Sequence, residues 1–248
     1  MTLAGIGTFL VIGALIGFAG GMFAIGGALI AIPLLTMLLR FTQHDAQGTA
    51  TVMALASAAV TTTIYARKGL LSMREALVMA AFSALAGLIA AQLVRYVPDA
   101  VLQRGFGAFL IVLALVMWFA HLGERDESRR LDLWTQSWLG TVAGSLSGFF
   151  VVGGALVTVP LLERIGRYSQ QRAQATVLMM LLPASALALT VYAYNGFVQW
   201  SSGIPLALGA VALAPLGTKV AVAMNPRVLR RLFSLIQAVA GILLVTAH

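Results

Sequence analysis

Two glycine pairs and two short polar segments are where this sequence could do chemistry. Gly26-Gly27 and Gly153-Gly154 each interrupt a long apolar stretch, 3–39 and 132–162. Glycine is a poor helix former and permits a sharp break. A break frees backbone N–H groups at the start of the next half-helix, and these donors with the positive dipole end suit an anion. Pro33 and Pro160 follow, each removing an intrahelical hydrogen bond. The alternative use of the glycines is close helix packing. Each stretch runs into a polar segment, RFTQHDAQGT (40–49) and RYSQQRAQAT (167–176). Gln43, Gln47, Thr49, Gln170, Gln174 and Thr176 offer uncharged hydrogen bonds, and Arg40 and Arg167 offer charge. The arm 27–39 spans only about 20 Å as a helix, so the polar segment could begin inside the membrane thickness. Polar backbone at that depth is tolerated around a cavity or inside protein. The alternative is a solvated loop.

Other residues have plainer uses. Segment 46–66 carries Thr49, Thr51, Ser57, Thr61, Thr62 and Thr63, hydroxyls that usually bond back to their own helix or join helices. Tyr65 and Tyr192 sit at helix ends, where interfacial anchoring is the default. Lys219 lies inside an apolar stretch but near its end, within snorkelling reach. Asp45, Glu75, Asp99 and Glu163 are all at the ends of apolar stretches, which argues against a buried carboxylate relay. His44 is the best remaining titratable candidate, with a solvated loop position as its ordinary fate. GSLSG (144–148) matches neither serine-nucleophile spacing, and its candidate bases are His44, His121 and His248. No His-Glu-x-x-His spacing exists. Cysteine is absent, so disulfides and thiolate chemistry are too. Neither an enzyme, a bound metal nor a cofactor is expected.

The elements that must position these residues follow from composition. Of 248 residues, 60% are hydrophobic and 10% charged, against about 25% charged in an ordinary soluble domain. Mean hydropathy is +0.95. A soluble globular enzyme, a disordered chain and a disulfide scaffold are excluded, leaving a polytopic protein embedded in the lipid bilayer. The apolar runs are continuous, which favours helices over a barrel. The net charge of +8 sits in short loops without interleaved aromatics, so a nucleic-acid partner is not expected. Residues 1–39 hold no Lys or Arg, unlike a cleaved signal peptide, so the N-terminus is expected to be retained.

Eight apolar stretches are visible: 3–39, 46–66, 74–94, 100–120, 132–162, 173–193, 200–222 and 226–247. GMFAIGGALIAIPLL (21–35) matches GFFVVGGALVTVPLL (148–162) at an offset of 127. The same ungapped offset pairs Gly13 with Gly140, Gly17 with Gly144, Arg40 with Arg167, Gln43 with Gln170, Gln47 with Gln174, Tyr65 with Tyr192 and Phe106 with Phe233. Chance alignment of Leu/Ala-rich segments would not pair these types. The chain therefore divides into a first transmembrane repeat (1–122), a charged linker (123–132) and a second repeat (133–248). If every stretch crosses once, the 16 Lys and Arg divide 10 to 6 between the two sides. If both Gly-Gly stretches enter and return on one side, they divide 13 to 3, which obeys the positive-inside rule better. The expected fold is an all-α integral membrane protein. It has two inverted repeats, each a Gly-Gly-broken helical hairpin plus three transmembrane helices, with the linker cytoplasmic and both termini outside. Small-residue faces Ala84/Leu88/Ala91 and Gly203/Ala207/Ala210 permit a homodimer.

The doubled GGALIAIPLL (26–35) and GGALVTVPLL (153–162), each followed by a short polar loop and an Ala-x-x-Thr segment (Ala46 to Thr49, Ala173 to Thr176), resemble the TauE/SafE family of sulfite or organosulfonate exporters. The resemblance spans residues 3–247. This chain has Ala24-Ile25-Gly26-Gly27-Ala28 and Val151-Val152-Gly153-Gly154-Ala155 where the family carries a richer Gly-x-Gly-Gly-Gly form. The resemblance implies a secondary transporter of the bacterial cytoplasmic (plasma) membrane. It would move sulfite, thiosulfate or an organosulfonate by export, with the anion held between the two broken hairpins. A channel or carrier for another small anion is the alternative.

Overall fold

The computed structural model describes residues 3–23, 27–71, 73–119 and 131–246. Gly26, His121, His248 and all of the charged linker except Leu131 and Asp132 lie outside them. Among the described residues there are ten helices: α1 (Leu3–Phe23), α2 (Ala28–Leu39), α3 (Gln43–Arg67), α4 (Met73–Val94), α5 (Asp99–Phe119), α6 (Leu133–Phe150), α7 (Gly153–Ile165), α8 (Gln170–Tyr194), α9 (Trp200–Ala223) and α10 (Pro226–Thr246). The protein is an all-helical membrane protein. Seven helices are long and apolar enough to cross a membrane: α1, α3, α4, α5, α8, α9 and α10. Their outer faces leave leucines such as Leu15, Leu85, Leu208 and Leu235 exposed, as lipid-facing surfaces require.

The sequence offset reappears in the local geometry. α3 and α8 both have 25 residues, and α5 and α10 both have 21. Two residues beyond α3 and α8 stand Gly69 and Gly196, both in the left-handed region (φ 68° and 76°). There the N–H of the next residue closes the turn, Leu70 onto Tyr65 O and Phe197 onto Tyr192 O. A glycine tolerates that conformation without steric cost. α2 and α7 stop alike, with Phe41 N–H on Leu35 O and Tyr168 N–H on Leu162 O. The left-handed residues in those turns are Arg40 and Arg167 (φ 54° and 53°).

The two halves exchange partners. α1 lies along α9, and α6 lies along α4. A Cβ placed on Gly13, Gly17 or Gly21 would fall 2.2–2.3 Å from backbone atoms of Leu206, Ala210 and Ala214. One placed on Gly140, Gly144 or Gly148 would fall 2.2–2.5 Å from Met79 O, Ser83 O and Gly87 O. Glycine at every fourth position makes a flat stripe on which the partner backbone rests, as in membrane helix pairs generally. Both seams run parallel. The face Gly203/Ala207/Ala210, expected to permit a dimer, is spent inside the chain: all three are buried and Ala210 rests on Gly17.

By contrast, the repeat-equivalent helices α3 and α8 run antiparallel, because Tyr65 near the end of α3 bonds Gln174 near the start of α8, and Tyr192 bonds Gln47. α5 and α10 are antiparallel too. Gln103 Nε2 donates to Leu244 O at 3.2 Å and Ser234 Oγ to Ala114 O at 2.7 Å.

The breaks are real but unlike. In the first half Gly27 is left-handed (φ 81°) and precedes α2. In the second half the left-handed residue is Val151 (φ 66°), and Gly153-Gly154 form the first turn of α7. Their missing side chains let α7 fold back on α6. A Cβ on Gly154 would lie 2.2 Å from Ala143 O and 2.3 Å from Ser147 Oγ. In the second half the break therefore falls at Val151-Val152, just before the expected pair, and Gly153-Gly154 instead make the close return that follows it.

Candidate functional site

Thr42 starts α3 by accepting the Asp45 N–H on its hydroxyl at 3.1 Å, an ordinary N-cap. Gln43, Gln47 and Thr49 are thus on the first two turns of a helix rather than in a loop. All three are buried, at 1%, 0% and 0% exposure. α8 begins after Ser169 without such a side-chain cap, burying Gln174 (5%) and Thr176 (0%) and half-burying Gln170. Arg40 and Arg167 are exposed in the turns just before.

Two hydrogen bonds organise these residues. The Tyr192 hydroxyl donates to Gln47 Oε1 at 3.1 Å and shares its proton with Gly148 O at 3.2 Å. The Tyr65 hydroxyl donates to Gln174 Oε1 at 3.1 Å. The four residues are two pairs at the offset of 127, and each bond joins one repeat to the other. The tyrosines are buried, 0% and 1% exposed. This corrects the interfacial-anchor expectation. A phenol at a helix end usually meets headgroups, but here each is buried and bonds a glutamine of the antiparallel partner helix. The signal available in the sequence was the pairing of Tyr with Tyr and Gln with Gln at one offset.

The candidates do not converge on one point. Gln47 and Tyr65 are five turns apart on α3, about 27 Å of helix, so the Gln47–Tyr192 and Gln174–Tyr65 pairs lie at opposite ends of the α3–α8 pair. The tip of the second hairpin closes over the Gln47 end. Gly148, which receives the Tyr192 hydroxyl, adjoins Ser147, whose Oγ accepts the Gly154 N–H at 3.2 Å. That bond takes up one amide of the α7 N-terminus, and α7 has no cap from its own N-cap residue. It also gives Ser147, buried at 4%, a structural task. Gly27 is at the tip of the first hairpin, where a Cβ would meet Ile16 at 2.9 Å and Met53 at 3.2 Å. The Gly21 carbonyl there accepts the Thr218 hydroxyl at 3.4 Å.

The Gln47 end has polar atoms left unpartnered. Gln47 Nε2 and both amide atoms of Gln43 are buried without a hydrogen-bond partner among the described residues. An unfilled buried amide costs about 1–3 kcal/mol. Thr49 is satisfied, its Oγ1 accepting the Gln199 N–H at 3.0 Å. Gln43 and Gln47 are one helical turn apart and share a face. They present uncharged N–H donors next to a helix N-terminus that carries partial positive charge. Donors of this kind can hydrogen-bond an oxyanion without pairing its charge. Among the described residues no cluster of His, Cys, Asp and Glu could hold a metal ion.

His44 and Glu75 depart from expectation. His44 is buried at 7%, not solvated in a loop, because α3 starts one residue before it. Glu75 is buried at 8% and accepts the Tyr168 hydroxyl and, at 3.4 Å, the Leu131 N–H. The carboxylate thereby ties the end of the linker to the α7–α8 turn. Neither contact could be read locally, since each partner is more than 50 residues away.

Comparison with known proteins agrees with this architecture. The family model described as sulfite exporter TauE/SafE matches residues 9–244. A probable membrane transporter protein of Methanocaldococcus jannaschii is 25% identical over 95% of this chain and 94% of its own length. The probable membrane transporter protein YdhB of Bacillus subtilis is 28% identical over 94% of this chain and 96% of its own length. YfcA of Escherichia coli, also called a probable membrane transporter protein, is 23% identical over 86% of this chain and 80% of its own length. No solved structure matches. With nearly the whole chain covered by the family model, and with broken hairpins and paired glutamines in both halves, the protein is a membrane transporter of the sulfite exporter TauE/SafE family.

Proposed function

We propose that the protein is a secondary carrier that exports a small sulfur-containing oxyanion such as sulfite, thiosulfate or an organosulfonate. The observation that carries this is the buried, unfilled amide of Gln47 beside Gln43, Tyr192 and the α7 N-terminus. Its repeat-equivalent glutamine, Gln174, sits at the other end of the α3–α8 pair. Each glutamine serves the anion at one face of the membrane, and the exchange of partners between halves lets the hairpins alternate. Gly27, Gly153 and Gly154 shape the hairpin tips. Thr49, Gln170 and Thr176 line the approach, and Arg40 and Arg167 attract the anion from the turns outside. The test is flux into proteoliposomes of sulfite, thiosulfate, sulfoacetate and sulfate, with and without a pH gradient. Saturable flux of a sulfur anion is expected. Unsaturated flux of many anions would instead favour a channel, and no flux in folded protein would overturn the carrier reading.

The same proposal places the two halves in the membrane in opposite directions, with the linker cytoplasmic, both termini outside and the bacterial cytoplasmic membrane as the site. It is supported by the antiparallel course of α3 and α8 and by the 13 to 3 division of Lys and Arg. The chain has no cysteine, so single cysteines can be labelled cleanly. Arg67 and Tyr194 are repeat-equivalent, exposed and at the last turn of α3 and α8. They suit the purpose better than Gly69 and Gly196, whose positive φ would strain a cysteine. Arg67→Cys is expected to react with an impermeant maleimide from the cytoplasmic side and Tyr194→Cys from the opposite side. Reaction of both from one side would sink the inverted arrangement.

A further inference from the structure

The first turn of α3 is held by a contact whose residue types are not repeated at the offset of 127. The His44 ring meets an acceptor at each nitrogen: Asp99 Oδ1 lies 2.6 Å from Nδ1, and Val94 O lies 3.0 Å from Nε2. The backbone N–H of His44 donates to the same Asp99 oxygen at 3.1 Å. A carboxylate and a carbonyl both accept, so the ring fills both bonds only as an imidazolium. A neutral ring sets a lone pair against one of the two oxygens. Val94 is the last residue of α4, where the negative end of that helix favours a cation. The ring also packs on Phe197, with centroids 4.7 Å apart. The backbone of Phe197 lies against Gly48, where a Cβ would fall 2.3 Å from Phe197 O. At the offset of 127, His44 is replaced by Gln171 and Asp99 by Pro226, which cannot make this contact.

The surroundings isolate the pair. Asp99 on α5 is the charged group that touches the ring. After α4, Arg95 bonds and stacks on Tyr96. Arg40 and Arg104 are exposed, and Asp45 is on α3's own first turn, half-buried. The 195–199 turn that carries Phe197 has no titratable residue. The Asp99 side chain is 45% exposed and that of His44 9%, so the pair is open on its carboxylate side.

We propose that His44 and Asp99 form a proton-operated latch: the imidazolium pins the first turn of α3, and with it Gln43 and Gln47, to the α4–α5 corner, and the neutral ring, which keeps one of the two ring bonds, loosens it. The latch regulates the anion site and rests on the reading that Gln43 and Gln47 hold the anion. Because it exists in one half only, protonation acts at one end of the α3–α8 pair and leaves the Gln174 end unchanged.

Hydrogen exchange of the full-length protein in nanodiscs tests this, with segment 167–176 as internal reference for segment 40–49, since both see the same base catalysis. As pH rises from about 5 to about 8, protection of 40–49 relative to 167–176 is expected to fall about fivefold, the order expected for losing one hydrogen bond. His44→Gln, which installs the residue of the other half, is expected to flatten the ratio, and so is Asp99→Asn. Should His44→Gln not yield monodisperse protein, Asp99→Asn alone decides. A flat ratio in the wild type, or an unchanged slope in the variants, overturns the latch. Absence of anion flux would overturn the proposed function while the exchange ratio still judged the latch. Saturable flux with a flat ratio would remove the latch alone.

Discussion

Gly17→Leu and Gly144→Leu are each expected to leave no monodisperse protein in mild detergent, a loss of more than about 3 kcal/mol. A Cβ on Gly17 falls 2.3 Å from Ala210 Cα, and one on Gly144 falls 2.2 Å from Ser83 O. Both obstacles are backbone, so no side chain can swing aside and the parallel seams α1–α9 and α6–α4 must open. Ordinary overpacking costs about 1–3 kcal/mol because neighbours relax. Here relaxation means separating two helices along their length. Gly7→Leu is the control, since nothing lies within 4 Å of its added Cβ and the site is exposed. Leucine is also the better helix former by under about 1 kcal/mol, so that variant is expected to equal the wild type or exceed it. Size-exclusion profiles and thermal unfolding in detergent give the answer. A Gly17→Leu protein that melts like the wild type would show that the seam is not where α1 and α9 meet.

The second large effect concerns transport. Gln47→Ala removes a buried amide whose Oε1 also takes the Tyr192 hydroxyl. A hydrogen bond to a charged group is worth about 1.5–3 kcal/mol, so the half-saturating anion concentration is expected to rise about 10- to 100-fold. The rise should be one-sided. If Gln47 and Gln174 serve opposite faces, Gln47→Ala weakens the anion from one side of an oriented vesicle and Gln174→Ala from the other. Equal weakening from both sides in each variant would mean one shared site, against the 27 Å of helix estimated between the pairs. Tyr192→Phe should cost more stability than Tyr65→Phe. Tyr192 serves Gln47 Oε1 and Gly148 O, whereas the bond shown for Tyr65 is to Gln174 Oε1. Each abandoned buried acceptor costs about 1–3 kcal/mol.

Hydropathy alone determined that this chain is a helical membrane protein, because hydrocarbon admits only segments whose backbone groups are paired internally. The offset of 127 determined the doubled architecture. Matched Gly, Gln, Tyr and Arg recur since each half must make the same turns and the same close approaches. The glycines at 13, 17, 140 and 144 were visible as pairs, yet their purpose was not. A glycine stripe has the same sequence whether it faces lipid, a second chain or, as here, a helix 193 residues away for Gly13 and Gly17 and 61 for Gly140 and Gly144. Likewise the polar segments were legible as candidates from residue type alone. Their burial as helical turns was decided by the Thr42 cap and by packing against α8 and the α8–α9 turn. The hydroxyls of Tyr65 and Tyr192 found Gln174 and Gln47 only because α3 and α8 run antiparallel. His44 gained Asp99, and Glu75 gained Tyr168, for the same reason: a polar side chain in a membrane protein takes whatever partner the fold brings within about 3 Å. Residue type fixes what such a side chain can donate or accept, and long-range packing alone fixes to whom.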